Sequence, residues 1–178
     1  MFDFANSLPA DTLPAIGPWT GFTAYNFVGG HNDEALIPVD ELTDCMSAVM
    51  AADGKRLAAY GLGDGPLGYL GLRQFLAGSL HNRAGMSVDA DDILLVSGSL
   101  QALDLVNQTL LRAGDTVVIE ASNYEGVYSR FNRLDVSFAG VPTDSHGMRV
   151  DALEQILFEL KQKGIRPRYI YTIPTVQN

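Results

Sequence analysis

Ser97-Gly98-Ser99 sets two hydroxyls around a glycine just ahead of an amphipathic stretch. Where such a turn opens a helix, successive backbone N–H groups bind an anion without any cationic side chain. Serine also caps helices for purely structural reasons, so the tripeptide alone leaves both readings open. It is not a P-loop, because no Gly-Lys-Ser/Thr follows. Tyr124 offers an aromatic face that could stack on a planar ligand or pack over a helix end. Asn178 carries a neutral amide able to donate to a ligand oxygen, or to serve as a turn residue.

Other chemistry finds little support. His31, His81 and His146 are scattered and form neither a triad nor a metal set, so no metal is expected. Asp91-Asp92 precedes an apolar run and reads as a solvated loop. Cys45 is the single cysteine, which rules out an intrachain disulfide, suits a reducing cytoplasmic setting and reads as a packed side chain. With 12 basic against 21 acidic residues the net charge is −9, a poor match for nucleic acid. Lys161, Lys163, Arg166 and Arg168 do cluster, but at the end of an amphipathic stretch, where cations favour a helix C-terminus. The N-terminus lacks a cationic leader followed by an apolar run, and no stretch is long and apolar enough to span a membrane.

The elements that must position these residues follow from the apolar pattern. Residues 1–36, with Pro9, Pro14, Pro18 and Gly29-Gly30, read as an N-terminal arm. Val39, Leu42, Met46, Val49 and Met50 mark a helix ending near Gly54. The glycine-rich stretch 60–69 is irregular at first, then Pro66 is placed to begin a helix buried through Leu67, Leu70, Phe75, Leu76 and Leu80. Strands are expected at 93–96, 116–120, 136–139 and 169–173. Between them lie helices marked by Leu100, Leu103, Val106 and Leu110, by residues 126–133, and by Leu153, Ile156, Leu157 and Leu160, the last opened by an Asp151/Glu154 capping box. The rhythm implies an α/β fold with a mostly parallel sheet and helices on both faces. Such sheets bind ligands beyond the carboxyl ends of their strands, which gathers residues 97–101, 121–126 and 174–178 at one edge.

Taken in order, the motifs resemble a known family. Gly29-Gly30, Tyr60 with Gly61, Gly65 and Gly68, Ser97-Gly98-Ser99-Leu100-Gln101-Ala102-Leu103, Gly114-Asp115, Tyr124, and the closing Tyr171-Thr172-Ile173-Pro174-Thr175-Val176-Gln177-Asn178 resemble the N-terminal half of a class I/II aminotransferase. These are fold-type-I enzymes dependent on pyridoxal 5′-phosphate (PLP). The similarity is greatest to the branch holding aminoadipate and kynurenine aminotransferases and the effector domains of MocR-type regulators.

The resemblance implies roles. Gly98, Ser99 and the Leu100 amide would hold the cofactor phosphate, Tyr124 would stack on the pyridine ring, and Asn178 would bond its phenolic oxygen. Tyr60 would reach the partner's cofactor phosphate across a homodimer, and Gly30 would lie beside the amino-acid or 2-oxo-acid substrate. Residues 1–36 would be the arm and 37–178 the first part of the PLP-binding large domain. Leu100 departs from the branch, which commonly has glutamine there, so only its backbone donor would remain. The family's Schiff-base lysine, pyridinium partner and carboxylate-binding arginine fall beyond Asn178, and Lys55, Lys161 and Lys163 are not placed to substitute for that lysine. The expectation is therefore a piece of a longer transaminase. A PLP-dependent lyase on the same fold and a PLP-binding sensor domain of a regulator are the alternatives.

Overall fold

Residues 116–120 read Thr-Val-Val-Ile-Glu, a β-branched run with an apolar centre at Val117-Val118-Ile119, which suits a strand covered on both sides. The computed structural model describes residues 20–21, 24–25 and 32–175, and this run is its central strand, β1 (Thr116–Glu120), with all five residues buried. Strand β1 pairs in parallel with β2 (Ser137–Val141), Thr116 opposite Ser137 and Glu120 opposite Val141. After β2 a short antiparallel hairpin joins β3 (Thr143–Asp144) to β4 (Gly147–Met148). On its other edge β1 pairs in parallel with β5 (Ile170–Tyr171), giving the order β2-β1-β5.

Alternation along β1 feeds two cores. Val117 and Ile119 point to one face with Leu103 of α3 (Ser99–Leu110), Leu111, and Val127 and Phe131 of α4 (Glu125–Arg133). Val118 points to the other, with Val141 and Leu160 of α5 (Val150–Gln162), around which Leu153, Ile156 and Leu157 pack. Each fully buried aliphatic side chain contributes about 1.5–3 kcal/mol relative to exposure. Helices therefore cover both faces of the parallel sheet, as the sequence implies.

The chain divides into two units, residues 1–37 and 38–178. In the first, a 3-10 turn at Glu34–Leu36 is capped by Asp33, whose side chain accepts from the Ala35 N–H at 3.0 Å. The second opens with α1 (Val39–Asp53) and α2 (Leu70–Ala84) and contains the sheet.

Several expectations give way to packing. Residues 93–96 are not a strand: Ile93 is extended at φ −111° and ψ 122°, yet the Leu95 N–H donates at 2.9 Å to the Leu67 carbonyl and not to a ladder. The segment lies against Gly68, where a Cβ would fall 2.9 Å from that of Leu95. Gly68 also has φ +96°, which no helix tolerates, so α2 starts at Leu70 and not at Pro66. The buried residue of α2 is Arg73, 3% exposed, while Phe75 is 67% exposed. Its guanidinium donates to the carbonyls of Ala90 (2.7 Å), Gly68 (3.0 Å) and Asp64 (3.2 Å) and pairs with Asp91 at 3.0 Å.

Asp91 and Asp92 are both exposed, as expected of a solvated loop, and Asp92 completes a capping box with Asp89 around a 3-10 turn at Ala90–Asp92. No capping box forms at Asp151: the N-cap of α5 is Arg149, whose guanidinium binds the Asp151 carboxylate and lowers its pKa. Cys45 is not packed but exposed, along with Leu42, Met46, Val49 and Met50 of the same helix.

On the α3 side of the sheet, Asn107 is fully buried, and its Oδ1 accepts from the Tyr169 hydroxyl. Tyr169→Phe strands that acceptor and should lower stability by about 1–3 kcal/mol, read from chemical denaturation, while a double change with Asn107→Leu should recover most of the loss. Burial, with a smaller contribution from Tyr171, pushes the Tyr169 phenol from 10.0 up to about 12. A folded-state value above the unfolded one means its stabilising contribution is complete below about pH 10 and is lost towards pH 12. Melting temperatures over that interval should fall more steeply for the wild type than for Tyr169→Phe.

Candidate functional site

The edge beyond the carboxyl end of β1 collects the starts of two helices. Gly98 is the N-cap of α3, with φ 86° and ψ 164°, a conformation open essentially to glycine alone. Because the N-cap is a glycine, it has no side chain with which to cap α3. Ser97 donates its N–H to Gln101 Oε1 at 2.5 Å, which braces the turn from the helix side. The N–H groups of Ser99, Leu100 and Gln101 find no acceptor among the described residues. They are the unsatisfied donors that every helix start carries, and a Cβ built on Gly98 would meet nothing within 4 Å. The result is an open, electropositive turn suited to a phosphate or carboxylate.

Tyr124 is the N-cap of α4 and is 50% exposed. Its N–H donates to Asn123 Oδ1 at 2.8 Å, and its ring lies against Gly126 in the first turn of the helix. One side of the ring thus packs on a helix end, the structural role open to it in the sequence, while half of the residue stays accessible. The Nδ2 of neighbouring Asn123 is buried with no partner among the described residues. Arg130 ties the two helix starts together, its Nε 3.3 Å from the Leu100 carbonyl and 2.9 Å from Asp104, its Nη1 donating to the Gly126 carbonyl at 3.0 Å.

Glu120 is the residue that pattern reading missed. It ends β1 at 2% exposure and accepts from the Thr172 hydroxyl at 2.5 Å and from the Ile173 N–H at 3.3 Å. This carboxylate links the end of β1 to the segment after β5, and hence joins two of the three loops expected to meet. Burial, followed by the Glu120 charge, raises the pKa of the nearby Tyr171 phenol by disfavouring a second anion. The available signal was a charged residue closing a run otherwise fit for the core.

The structure brings Gly98, Ser99, Leu100 and Tyr124 to one edge through Arg130. Tyr60 stands elsewhere, 94% exposed and left-handed at φ 53°, lining a separate cavity with Arg56, Asp64 and Tyr69. Gly30 and Asn178 lie outside the described residues.

Replacing Glu120 with alanine leaves the Thr172 hydroxyl, on an exposed residue, and the N–H of half-buried Ile173 without their acceptor and should cost about 1–3 kcal/mol in denaturant unfolding. Glu120→Gln keeps one carbonyl acceptor and should cost less.

No protein-family model matches the chain. Among curated proteins it is 33% identical over 153 residues to aromatic-amino-acid aminotransferase 1 of Thermococcus litoralis, covering 86% of this chain and 36% of that one. It is also 33% identical over 153 residues to 2-aminoadipate transaminase of Thermus thermophilus, covering 86% of this chain and 35% of that one. An uncharacterised HTH-type transcriptional regulator of Bacillus subtilis matches at 34% over 134 residues, 75% of this chain and 26% of the regulator. The chain thus spans about a third of the length of the two transaminases, 36% and 35%.

Solved structures agree. A kynurenine aminotransferase of Pyrococcus horikoshii in complex with PMP superposes with a TM-score of 0.72 at 36% identity, covering 79% of this chain and 34% of that one. The α-aminoadipate aminotransferase of Thermus thermophilus, complexed with N-(5′-phosphopyridoxyl)-L-leucine, gives 0.71 at 33% identity, covering 85% and 36%. With its parallel sheet, its glycine-led helix start and these relatives in view, the chain belongs to the class I/II, fold-type-I family of PLP-dependent aminotransferases.

Proposed function

We propose that the polypeptide carrying this chain transfers an amino group between an amino acid and a 2-oxo acid using PLP, and that residues of this chain hold the cofactor. The observation that carries the reading is the uncapped start of α3, where Gly98 leaves the first-turn N–H groups open at the sheet edge. A phosphate accepts several such donors at once and needs no lysine or arginine beside it. The half-open Tyr124 ring next to that turn fits the flat pyridine, and the unpartnered Asn123 amide is a further donor at the same edge.

When bound, PLP supplies an electron sink for the Cα electrons of an amino acid. The residues of this chain bind and orient. Gly98, Ser99 and the Leu100 amide hold the phosphate, and Leu100, in place of the family's glutamine, gives a backbone donor only. Tyr124 covers one face of the ring and excludes water from it. By the family resemblance, Asn178 would donate to the phenolic oxygen, Tyr60 would reach the phosphate bound by the other protomer of a homodimer, and Gly30 would border the substrate. In this reading residues 1–36 are the arm and residues 37–178 open the large domain. A cytoplasmic setting without a nucleic-acid or membrane partner suits the acidic composition.

A second reading, a PLP-binding effector domain of a regulator, is favoured by the 34% identity to an HTH-type regulator. The deciding experiment incubates the full natural polypeptide with PLP, a panel of amino acids and a 2-oxo acid acceptor. The transaminase reading expects a new amino acid and a new 2-oxo acid in equal amounts. Elimination products point to a lyase, and tight PLP binding without turnover points to the sensor. Tyr124→Ala should raise the Kd for PLP about tenfold, the loss of about 1.4 kcal/mol of ring contact. Gly98→Ala, strained by about 1–3 kcal/mol at this backbone conformation, should weaken PLP and lower the melting temperature together.

A further inference from the structure

We propose that Arg130 is a positioning residue that sets the Tyr124 ring against the anion-binding turn of α3, an inference that rests on the PLP reading above. Arg130 lies on α4, and its side chain is only 19% exposed. Its single Nε–H is shared between Asp104 of α3 at 2.9 Å and the Leu100 carbonyl at 3.3 Å, and its Nη1 donates to the Gly126 carbonyl at 3.0 Å.

Those two residues are the ones whose separation matters. Leu100 belongs to the turn with open N–H groups. Gly126 is the surface on which the Tyr124 ring rests: a Cβ placed there would come within 2.5 Å of Tyr124 Cε1 and 3.1 Å of Cζ. A guanidinium is planar, with donors in a fixed fork, so acceptors engaged by one guanidinium keep a fixed spacing. Lysine offers a single mobile ammonium and could not hold all three partners in register.

The spacing has a chemical purpose. A phosphate and the ring it is attached to form one rigid ligand, so the donors for one and the aromatic face for the other must be matched in position before binding. Arg130 supplies the match from behind the site, and the bare Cα of Gly126 lets the Cε1 side of the ring approach the helix start closely. Neither residue touches the cofactor in this arrangement. Both act through others.

The test uses the full natural polypeptide, reading the Kd for PLP by titration, the visible circular dichroism of the bound cofactor, and the melting temperature without it. Arg130→Leu keeps bulk but removes the fork. It should raise the Kd about tenfold, corresponding to slack at two contacts, and alter the visible dichroism, with Arg130→Lys restoring only part. Gly126→Ala improves helix propensity and should keep or raise the melting temperature without cofactor while weakening PLP, a divergence that a purely structural role would not produce. If Arg130→Leu does not fold, Gly126→Ala decides alone. Wild-type Kd and dichroism in Gly126→Ala and in any folded Arg130→Leu, beside a weakened Tyr124→Ala, would overturn the positioning role and leave the stacking role standing. Wild-type PLP affinity in Tyr124→Ala would overturn the stacking role itself, and the proposal with it.

Discussion

The structure depends on the burial of β1 from both sides. Val117, Val118 and Ile119 are all at zero exposure, and the strand is hydrogen-bonded to parallel neighbours on both edges. A strand in that position has no solvent-facing side to vary and no free edge. Helices must cover both of its faces, α3 and α4 on one and α5 on the other, so the place where each helix begins is set by the place where the sheet ends. A chemical site at the carboxyl edge is a consequence of this layering, because that edge is where parallel strands release their loops.

Polar groups then do what apolar packing cannot, which is to fix loops relative to one another. Glu120 holds the exit of β1 to the exit of β5, Arg130 holds the start of α3 to the start of α4, and Arg73 holds the glycine-rich stretch to the turn at Ala90–Asp92. All three engage backbone groups of a separate segment. Each is mostly buried, so losing a partner would leave a charge or a donor stranded in a low-dielectric setting. Hydrophobic contacts tolerate small slides, whereas hydrogen bonds to backbone atoms do not, and a site that must match a rigid ligand needs the second kind.

The parts of the fold legible in the residue pattern are those where one local signal and the tertiary setting agree. The β-branched run at 116–120 and the amphipathic helices over Ser99–Leu110 and Val150–Gln162 are of this sort. Residues 93–96 have the same apolar character, and Ile93 is extended, but strand formation needs a neighbour's edge, which no local pattern can report. The reading of Asp151 as half of a capping box failed because the preceding Arg149 competes for the same carboxylate. In α2 the leucine spacing suggested the buried face, while the structure buries the arginine, whose many donors are met by carbonyls distant in sequence.

By itself, then, the sequence determined the parallel α/β architecture and the turn Ser97-Gly98-Ser99, since strand burial, helix periodicity and glycine's backbone freedom are written in neighbouring residues. Only the tertiary structure decided that this turn is uncapped, that the Tyr124 ring rests on Gly126, and that Glu120 and Arg130 bind the surrounding loops together. Those features depend on contacts between residues up to 53 positions apart, as in the bond from Ile173 to Glu120, and only the folded packing of the sheet brings such groups within hydrogen-bonding distance.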